Sequence, residues 1–203
     1  MAEPARVAAL AALLLVASCA SLGLGTSAGV QPVCGRAAIR GEPLPRIADG
    51  GGCGVRRPVR VHAVSGVALV PPVTIDCETA RALNAWVARG AKPAASRARE
   101  RLAAIETAGG YACRRRNHAA GGPLSEHARG RAVDVAGFRF ASGRRVRVET
   151  GWRDPRDGAF LARAHAAACG PFRTTLGPGS DGFHEDHLHF DLARHDGGRR
   201  YCR

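Results

Sequence analysis

The seven cysteines constrain this chain more than any other feature of its sequence. None of them forms a Cys-x-x-Cys pair, which argues against a thiolate zinc knuckle and against a thioredoxin-like redox site. Setting Cys19 aside leaves six, spread so evenly that they predict disulfides between distant segments in an oxidising compartment. Sequence alone leaves their pairing open, although we expect Cys169 and Cys202 to lie near one another. The six are Cys34, Cys53, Cys77, Cys113, Cys169 and Cys202.

An apolar run near the N-terminus predicts export. It extends from Val7 to Ala17 without a charged residue. The run is too short for a mature transmembrane helix, which needs roughly 20 apolar residues, but its length is typical of a signal-peptide core. It ends in Val16-Ala17-Ser18-Cys19, which resembles a bacterial lipobox. We therefore expect a signal peptide over residues 1–19 and a lipid anchor on Cys19 as the only membrane contact; ordinary cleavage after Ala20 or Ala28 is the alternative.

The strongly basic charge indicates an anionic partner. The formal net charge is +13, which predicts attraction to polyanions. Nucleic acid is one candidate, but the sequence shows no recognition helix, zinc finger or interleaved aromatic and basic residues. Export also argues against it. We therefore expect no nucleic-acid partner and interpret the charge as holding the protein near anions of the cell envelope, in the periplasm or at the membrane.

Length and composition predict one globular domain. Hydrophobic residues make up 45% of the 203 residues, an ordinary globular proportion. Residues 20–33 are small and polar and are expected to form a tether, which leaves 34–203 for the domain. Strand-like and helical runs mix there without a regular βαβ rhythm, and this favours an α+β fold.

Local signals predict individual elements. Asp76 is the expected N-cap of a helix over 77–89. Abundant glycine and proline predict irregular, disulfide-pinned structure over 34–58. Further helices are predicted over 93–102 and 158–168, and strands near 59–70, 105–114, 132–140, 145–149, 172–176 and 188–192.

Two short segments, 125–134 and 184–190, contain most of the residues suited to chemistry. Four histidines and several carboxylates lie within them. His127 and Asp134 are seven positions apart, so a straight strand would place them on opposite faces. They converge only if the chain turns between them, and Gly130 allows such a turn.

The residue types in these segments indicate a metal site. His187 and His189 share a face if they lie in a strand. Asp134 lies between Val133 and Val135, where a carboxylate is costly to bury unless it is paired or bound to a metal. Imidazoles and a carboxylate are ligands of catalytic zinc, which takes three protein ligands and a water. A chance cluster in surface loops is the alternative.

The two segments together also form a family pattern. His-x-x-Gly-x-Ala-x-Asp followed by Asp-x-x-His resembles the zinc peptidases that cleave peptidoglycan peptides, including D-Ala-D-Ala carboxypeptidases and murein endopeptidases. Those enzymes share a fold with the hedgehog signalling domain. Residues 110–117, 124–127 and 176–179 are more specifically similar to the bacterial extensin-like C-terminal domain family, over about 53–202. The resemblance implies a small antiparallel sheet with flanking helices, of the hedgehog and DD-peptidase type, stapled by disulfides.

The resemblance also implies ligands and a base. His127, Asp134 and His189 would be the zinc ligands. Asp186 matches the carboxylate that acts as general base. Many of these enzymes have glutamate at that position, so Glu185 is the alternative base.

Three further residues would complete the implied site. His187 matches the first histidine of the His-x-His pair of the murein endopeptidases, where it would stabilise the oxyanion or orient water, or only hold a neighbour by a hydrogen bond. Arg116, and after it Arg114, would face the scissile carbonyl or a substrate carboxylate, because a guanidinium binds a carboxylate through two parallel hydrogen bonds.

The leading functional prediction is a zinc metallopeptidase of carboxypeptidase or endopeptidase type, a hydrolase acting on peptidoglycan peptides in the cell envelope. The alternative is a non-catalytic envelope-binding or structural lipoprotein on the same fold, as the hedgehog domain illustrates. The complete ligand set and the presence of Asp186 favour the enzyme.

Overall fold

The computed structural model describes Met1 and residues 29–203. Apart from Met1, the predicted signal peptide, the lipobox cysteine Cys19 and most of the predicted tether lie outside these residues. Within the described residues, no helix has the length and hydrophobicity to cross a membrane.

The described residues contain twelve strands, most of them in one sheet. They are β1 (Gln31–Val33), β2 (Arg36–Pro43), β3 (Ile47–Gly50), β4 (Cys53–Val55), β5 (Pro58–Val64), β6 (Val67–Asp76), β7 (Leu102–Gly109), β8 (Ala132–Phe140), β9 (Arg145–Arg147), β10 (Thr174–Leu176), β11 (Leu188–Asp191) and β12 (Tyr201–Cys202). Ten strands form a sheet in the order β1-β2-β5-β6-β7-β8-β11-β10-β12, with β9 beside β8, and β3 pairs with β4 separately. The sheet is mixed, because β6–β7 and β10–β12 are parallel pairs.

The predicted fold class is wrong. Instead of an α+β fold whose small antiparallel sheet has flanking helices, one large mixed sheet dominates the molecule. The difference arises largely before residue 77. In β2, only Ile39 and Gly41 are buried. Its sequence therefore lacks the alternation of apolar and polar residues that predicts a strand. Its hydrogen bonds with β5 define it as a strand instead. β6 runs on through Pro71 and Pro72, residues that normally argue against a strand interior.

The α-helices contribute to the same buried core as the sheet. They are α1 (Cys77–Trp86), α2 (Lys92–Arg97), α3 (Val148–Gly151) and α4 (Gly158–Ala166), with a π-helical turn over Val87–Ala91 and 3₁₀ turns over Arg116–His118, Glu126–Arg129 and Asp196–Gly198. Asp76 caps α1 as predicted, because its Oδ1 accepts a hydrogen bond of 2.7 Å from the Thr79 N–H. The second predicted helix ends early at Arg97, since Leu102 begins β7.

Trp86 lies at the centre of the core. Its ring centroid is 4.9 Å from that of Phe190 and 6.3 Å from that of Phe138. Its indole N–H donates to the Ala164 carbonyl at 2.8 Å, so the polar atom of this fully buried side chain is satisfied. Because side chains alternate along a strand, the burial of Phe190 in the core directs its neighbours on β11, His189 and Asp191, to the opposite face.

Three disulfides join segments that are 33 to 60 residues apart in the sequence. All six cysteines in the described residues are paired, as predicted, and the Cys169–Cys202 pairing is confirmed. The pairs are Cys34–Cys77, Cys53–Cys113 and Cys169–Cys202. They join the turn after β1 to α1, β4 to the loop after β7, and the turn after α4 to β12. This framework indicates an oxidising, extracellular environment.

Candidate metal centre

Two strands and one short turn bring three predicted ligands together. Asp134 on β8 and His189 on β11 are direct cross-strand partners. His127 lies in the 3₁₀ turn Glu126–Arg129, which ends at Gly130 with φ of 65°. Glycine adopts this left-handed conformation without steric cost, so the chain reverses there and His127 folds back over β8. The turn predicted from the spacing is confirmed.

The three side chains converge at hydrogen-bonding distance and are all buried. His189 Nδ1 lies 2.9 Å from Asp134 Oδ1. His127 Nε2 lies 3.2 Å from Asp134 Oδ2 and 3.2 Å from His189 Nδ1. Tetrahedral zinc, with bonds of about 2.0–2.1 Å, places its ligand atoms roughly 3.3 Å apart. These three side chains, which we call the group, could therefore hold a metal ion with little rearrangement.

Hydrogen bonds on the far side of each ring orient the two imidazoles. His127 Nδ1 donates to the Gly110 carbonyl at 2.6 Å. His189 Nε2 donates to Asp191 Oδ2 at 2.9 Å. Metal-binding histidines commonly donate their second ring N–H in this way, which leaves a lone pair on the nitrogen that faces the metal. The hydrogen bonds that orient the two imidazoles therefore fit a zinc site, as do the distances among the three ligand atoms.

The same residues also form an ion-pair network. Burial opposes ionisation of Asp134, but hydrogen bonds from His127 and His189 lower its pKa well below the usual range. Burial lowers the pKa of His189, whereas its hydrogen bonds to Asp134 and Asp191 raise it to about 9. Metal ligands must be deprotonated, so a metal ion binding here would displace the His189 proton.

His187 lies between the group and solvent. Its Nε2 is 3.7 Å from Asp134 Oδ1, and its Nδ1 is 2.7 Å from Asp186 Oδ1. Asp186 therefore reaches the group only through His187, and 70% of its side chain is exposed. Glu185 points away, because its carboxylate accepts a hydrogen bond from the Gly179 N–H. Of the residues predicted for proton transfer or oxyanion stabilisation in this segment, His187 lies nearest the ligands.

Of the two predicted arginines, Arg114 is the one that contacts a candidate ligand within the described residues. The Arg114 guanidinium is 3.9 Å from Asp134 Oδ2. The Cys53–Cys113 disulfide secures the residue next to it in sequence. Arg116 is farther out, on a cavity of about 390 Å³ that Arg114 and His189 also line.

Two contributors to the group lie outside the sequence motifs. Asp191 orients His189, and the spacing His189-x-Asp191 already places both on one face of a strand. The Gly110 carbonyl orients His127, but a backbone acceptor leaves no residue-type signal. Gly110 also meets β6 so closely that a Cβ there would lie 2.3 Å from a Val73 methyl carbon.

The fold and the group define a disulfide-stapled β-rich domain with a buried candidate metal centre. The chain belongs to the family described as "Extensin-like protein C-terminus", which matches residues 32–203. This confirms the extensin-like resemblance. No curated protein and no solved structure gives a significant match. The relationship to zinc peptidases stays a prediction.

Proposed function

We propose that the protein is a zinc-dependent peptidase or amidohydrolase that acts on peptides of peptidoglycan. The observation that carries the proposal is the convergence of His127, Asp134 and His189 beside a cavity lined by arginine. Three protein ligands are the number found in catalytic zinc sites, which keep a further position for water or substrate.

Zinc bound at these three residues would supply a Lewis acid and lower the pKa of water to about 7. We assign the proton transfer to His187, because its Nε2 lies 3.7 Å from Asp134 Oδ1. The Asp186 carboxylate accepts from His187 Nδ1, which fixes the tautomer with an Nε2 lone pair toward the site. On this proposal, Asp186 would assist the proton transfer through His187 instead of acting as the base itself.

Arg114 would stabilise negative charge on the carbonyl oxygen of the substrate. Its guanidinium is nearest to Asp134 Oδ2, whereas His187 is nearest to Oδ1, and its side chain is about one quarter exposed. A fixed cation next to a developing oxyanion lowers the barrier more in a partly buried site than in water. His187 and Arg114 would then approach the scissile bond from two sides.

The envelope location rests on separate observations. Three disulfides favour an oxidising compartment, and the sequence predicts a signal peptide with a lipid anchor on Cys19. The positive charge would hold the protein close to peptidoglycan carboxylates and other envelope anions.

A non-catalytic envelope-binding protein is the second candidate. It is favoured by the ion pairs of the buried group, which satisfy Asp134 without any metal. On that hypothesis the group stabilises the sheet, and the cavity binds envelope peptides without cleaving them.

The deciding experiment is incubation of the zinc-loaded mature protein with defined muropeptides, followed by mass spectrometry. We expect products from the wild type and none from Asp134→Asn. Binding to sacculi by wild type without any product would contradict the enzyme and support the binding protein.

A further inference from the structure

Two adjoining cavities lie at the start of α1, and none of the three candidate metal ligands lines either of them. The first, which we call the arginine cavity, has a volume of about 480 Å³. The second, which we call the proline cavity, has a volume of about 430 Å³. They adjoin because Arg56, Arg57 and Cys77 line both. Both volumes lie within the range of small-molecule sites, about 300–1,000 Å³.

The arginine cavity is lined by more cations than carboxylates. Four arginines line it, against the carboxylates of Asp76 and Glu78. Asp76 is already engaged, because its Oδ1 accepts the hydrogen bond from Thr79 that caps α1. An anion would therefore meet several guanidinium donors here. The four arginines are Arg56, Arg57, Arg81 and Arg129.

These arginines have few other partners. Arg56 and Arg57 are exposed, and within the described residues neither forms an ion pair. Of the other two, Arg81 donates to a backbone carbonyl at 3.2 Å, and Arg129 lies 3.7 Å from the carboxylate of Glu126. A guanidinium binds a phosphate through two parallel hydrogen bonds. The donors of the arginine cavity are therefore suited to a phosphate group.

The proline cavity is largely apolar. Among the described residues that line it, Arg56 and Arg57 are the only charged ones. An apolar cavity that shares two arginines with a cationic cavity fits an amphiphile, because the apolar part of such a ligand leaves water while its anionic group is paired. The apolar side chains of the proline cavity are Pro32, Val33, Pro43, Leu44, Pro58 and Val59.

The proline cavity is close in sequence to the predicted lipid anchor. Gln31, the first residue of β1, lines this cavity. It is twelve positions after Cys19, and a chain of that length spans at most roughly 40 Å. A lipid on Cys19 would therefore keep both cavities near the surface of the membrane.

We propose that the two cavities together bind an anionic phospholipid of that membrane, with its phosphate among the arginines and its apolar part in the proline cavity. The inference goes beyond the proposed function and does not depend on it. The potential of an anionic membrane falls off within a Debye length, about 8 Å at physiological ionic strength. The position of these arginines therefore matters more for binding than the net charge of the chain, and the phospholipid would add a second membrane contact to the anchor on Cys19.

Vesicle binding by the mature chain with Cys19→Ser, which cannot carry a lipid, tests the proposal. Cosedimentation would compare vesicles of phosphatidylcholine with vesicles of phosphatidylcholine and phosphatidylglycerol in equal parts. We expect binding to the mixed vesicles only. The double variant Arg56→Gln, Arg57→Gln should bind them about tenfold or more weakly. The matched control Arg163→Gln, Arg200→Gln removes the same charge from exposed positions outside both cavities and should lose less than about threefold.

A third variant tests the apolar half of the site. Leu44→Asn should weaken binding to the mixed vesicles. It should leave unchanged the weaker binding of soluble poly(glycerol phosphate), which carries phosphate without acyl chains. An equal loss of polymer binding in Leu44→Asn would contradict the role of the proline cavity.

Three further results would overturn the proposal. Equal losses in the two arginine double variants would show an effect of net charge. Equal binding to both kinds of vesicle would show that phosphatidylglycerol is not recognised. Tighter binding of the polymer than of the mixed vesicles, per phosphate, would make the ligand an envelope polymer. Intact disulfides and an unchanged Tm verify that each variant is folded.

Discussion

His189 lies directly opposite Asp134 in the β8–β11 pair, with its Nδ1 2.9 Å from the carboxylate Oδ1. The register of two central strands therefore positions two of the three candidate ligands. A slip of one residue would turn either side chain into the Trp86 core. The third, His127, depends on the turn at Gly130, so the sheet and one glycine together build the group.

The first prediction concerns the metal. We expect the mature protein to bind about one zinc per chain. His127→Ala and His189→Ala should each abolish stoichiometric binding, because two remaining ligands hold zinc poorly. Elemental analysis after dialysis measures the zinc bound per chain. The matched control is His62→Ala, because His62 lies on the distant β5 and hydrogen-bonds Glu42. Full occupancy in both ligand variants would contradict the assignment.

The second prediction separates His187 from the carboxylates beside it. His187→Gln should keep zinc and the fold but lower peptide hydrolysis by about 10²–10⁴-fold, the range of general acid–base catalysis. Asp186→Asn should retain zinc and give a smaller loss of kcat. The reason is that the Asp186 carboxylate orients His187 but does not face the ligands. Glu185→Gln should have little effect.

Steady-state kinetics and zinc analysis of the same samples test this. Loss of zinc in Asp186→Asn would make Asp186 a ligand. A larger kinetic loss in Glu185→Gln than in either other variant would transfer the proton-moving role to Glu185.

Some of the fold was predictable because local signals and tertiary structure agree. The Asp76 cap is a local hydrogen bond, and β8 matches its predicted span of 132–140 because most of its residues are apolar. The sequence does not predict β2, because only Ile39 and Gly41 are buried in it. Hydrogen bonding to β5, which is distant in sequence, determines this strand more than its own residue types do. Glycine and proline content before residue 77 thus concealed several strands of the large sheet.

The candidate site was predictable where residue type carries the chemistry. His127, Asp134 and His189 form the group that their motifs indicated. The distance between Asp186 and the ligands was not predictable, because it depends on which way the side chain leaves the loop before β11. A sequence spacing of three residues does not specify that direction.

The third prediction concerns the disulfides. Thiol titration of the unfolded, unreduced mature protein should find no free thiol other than one on Cys19 when that cysteine is not lipidated. Replacing both Cys169 and Cys202 by serine should lower the free energy of unfolding by about 2–5 kcal/mol. Denaturant unfolding measures this loss. Several free thiols, or a double variant as stable as the wild type, would contradict the framework.

The last prediction concerns a buried carboxylate outside the site. Glu106 on β7 accepts hydrogen bonds of 2.5 Å from Arg139 Nε and 2.6 Å from Arg145. Burial raises the pKa of Glu106, but the hydrogen bonds from Arg145 and Arg139 outweigh it and lower the pKa below the ordinary value. Its ionised form therefore stabilises the folded state.

Because the folded pKa is depressed, this stabilisation is present above the unfolded pKa, about 4.3, and is lost as the pH falls through the folded pKa. Glu106→Gln should lower the free energy of unfolding by about 1–2 kcal/mol at pH 7, and the difference from wild type should shrink below about pH 4. Urea unfolding across this pH range measures it. Glu149→Gln, at an exposed pair with Arg147, should change stability by less than about 0.5 kcal/mol. A Glu106→Gln deficit that stays constant down to the lowest pH would mean that packing, and not ionisation, makes Glu106 stabilising.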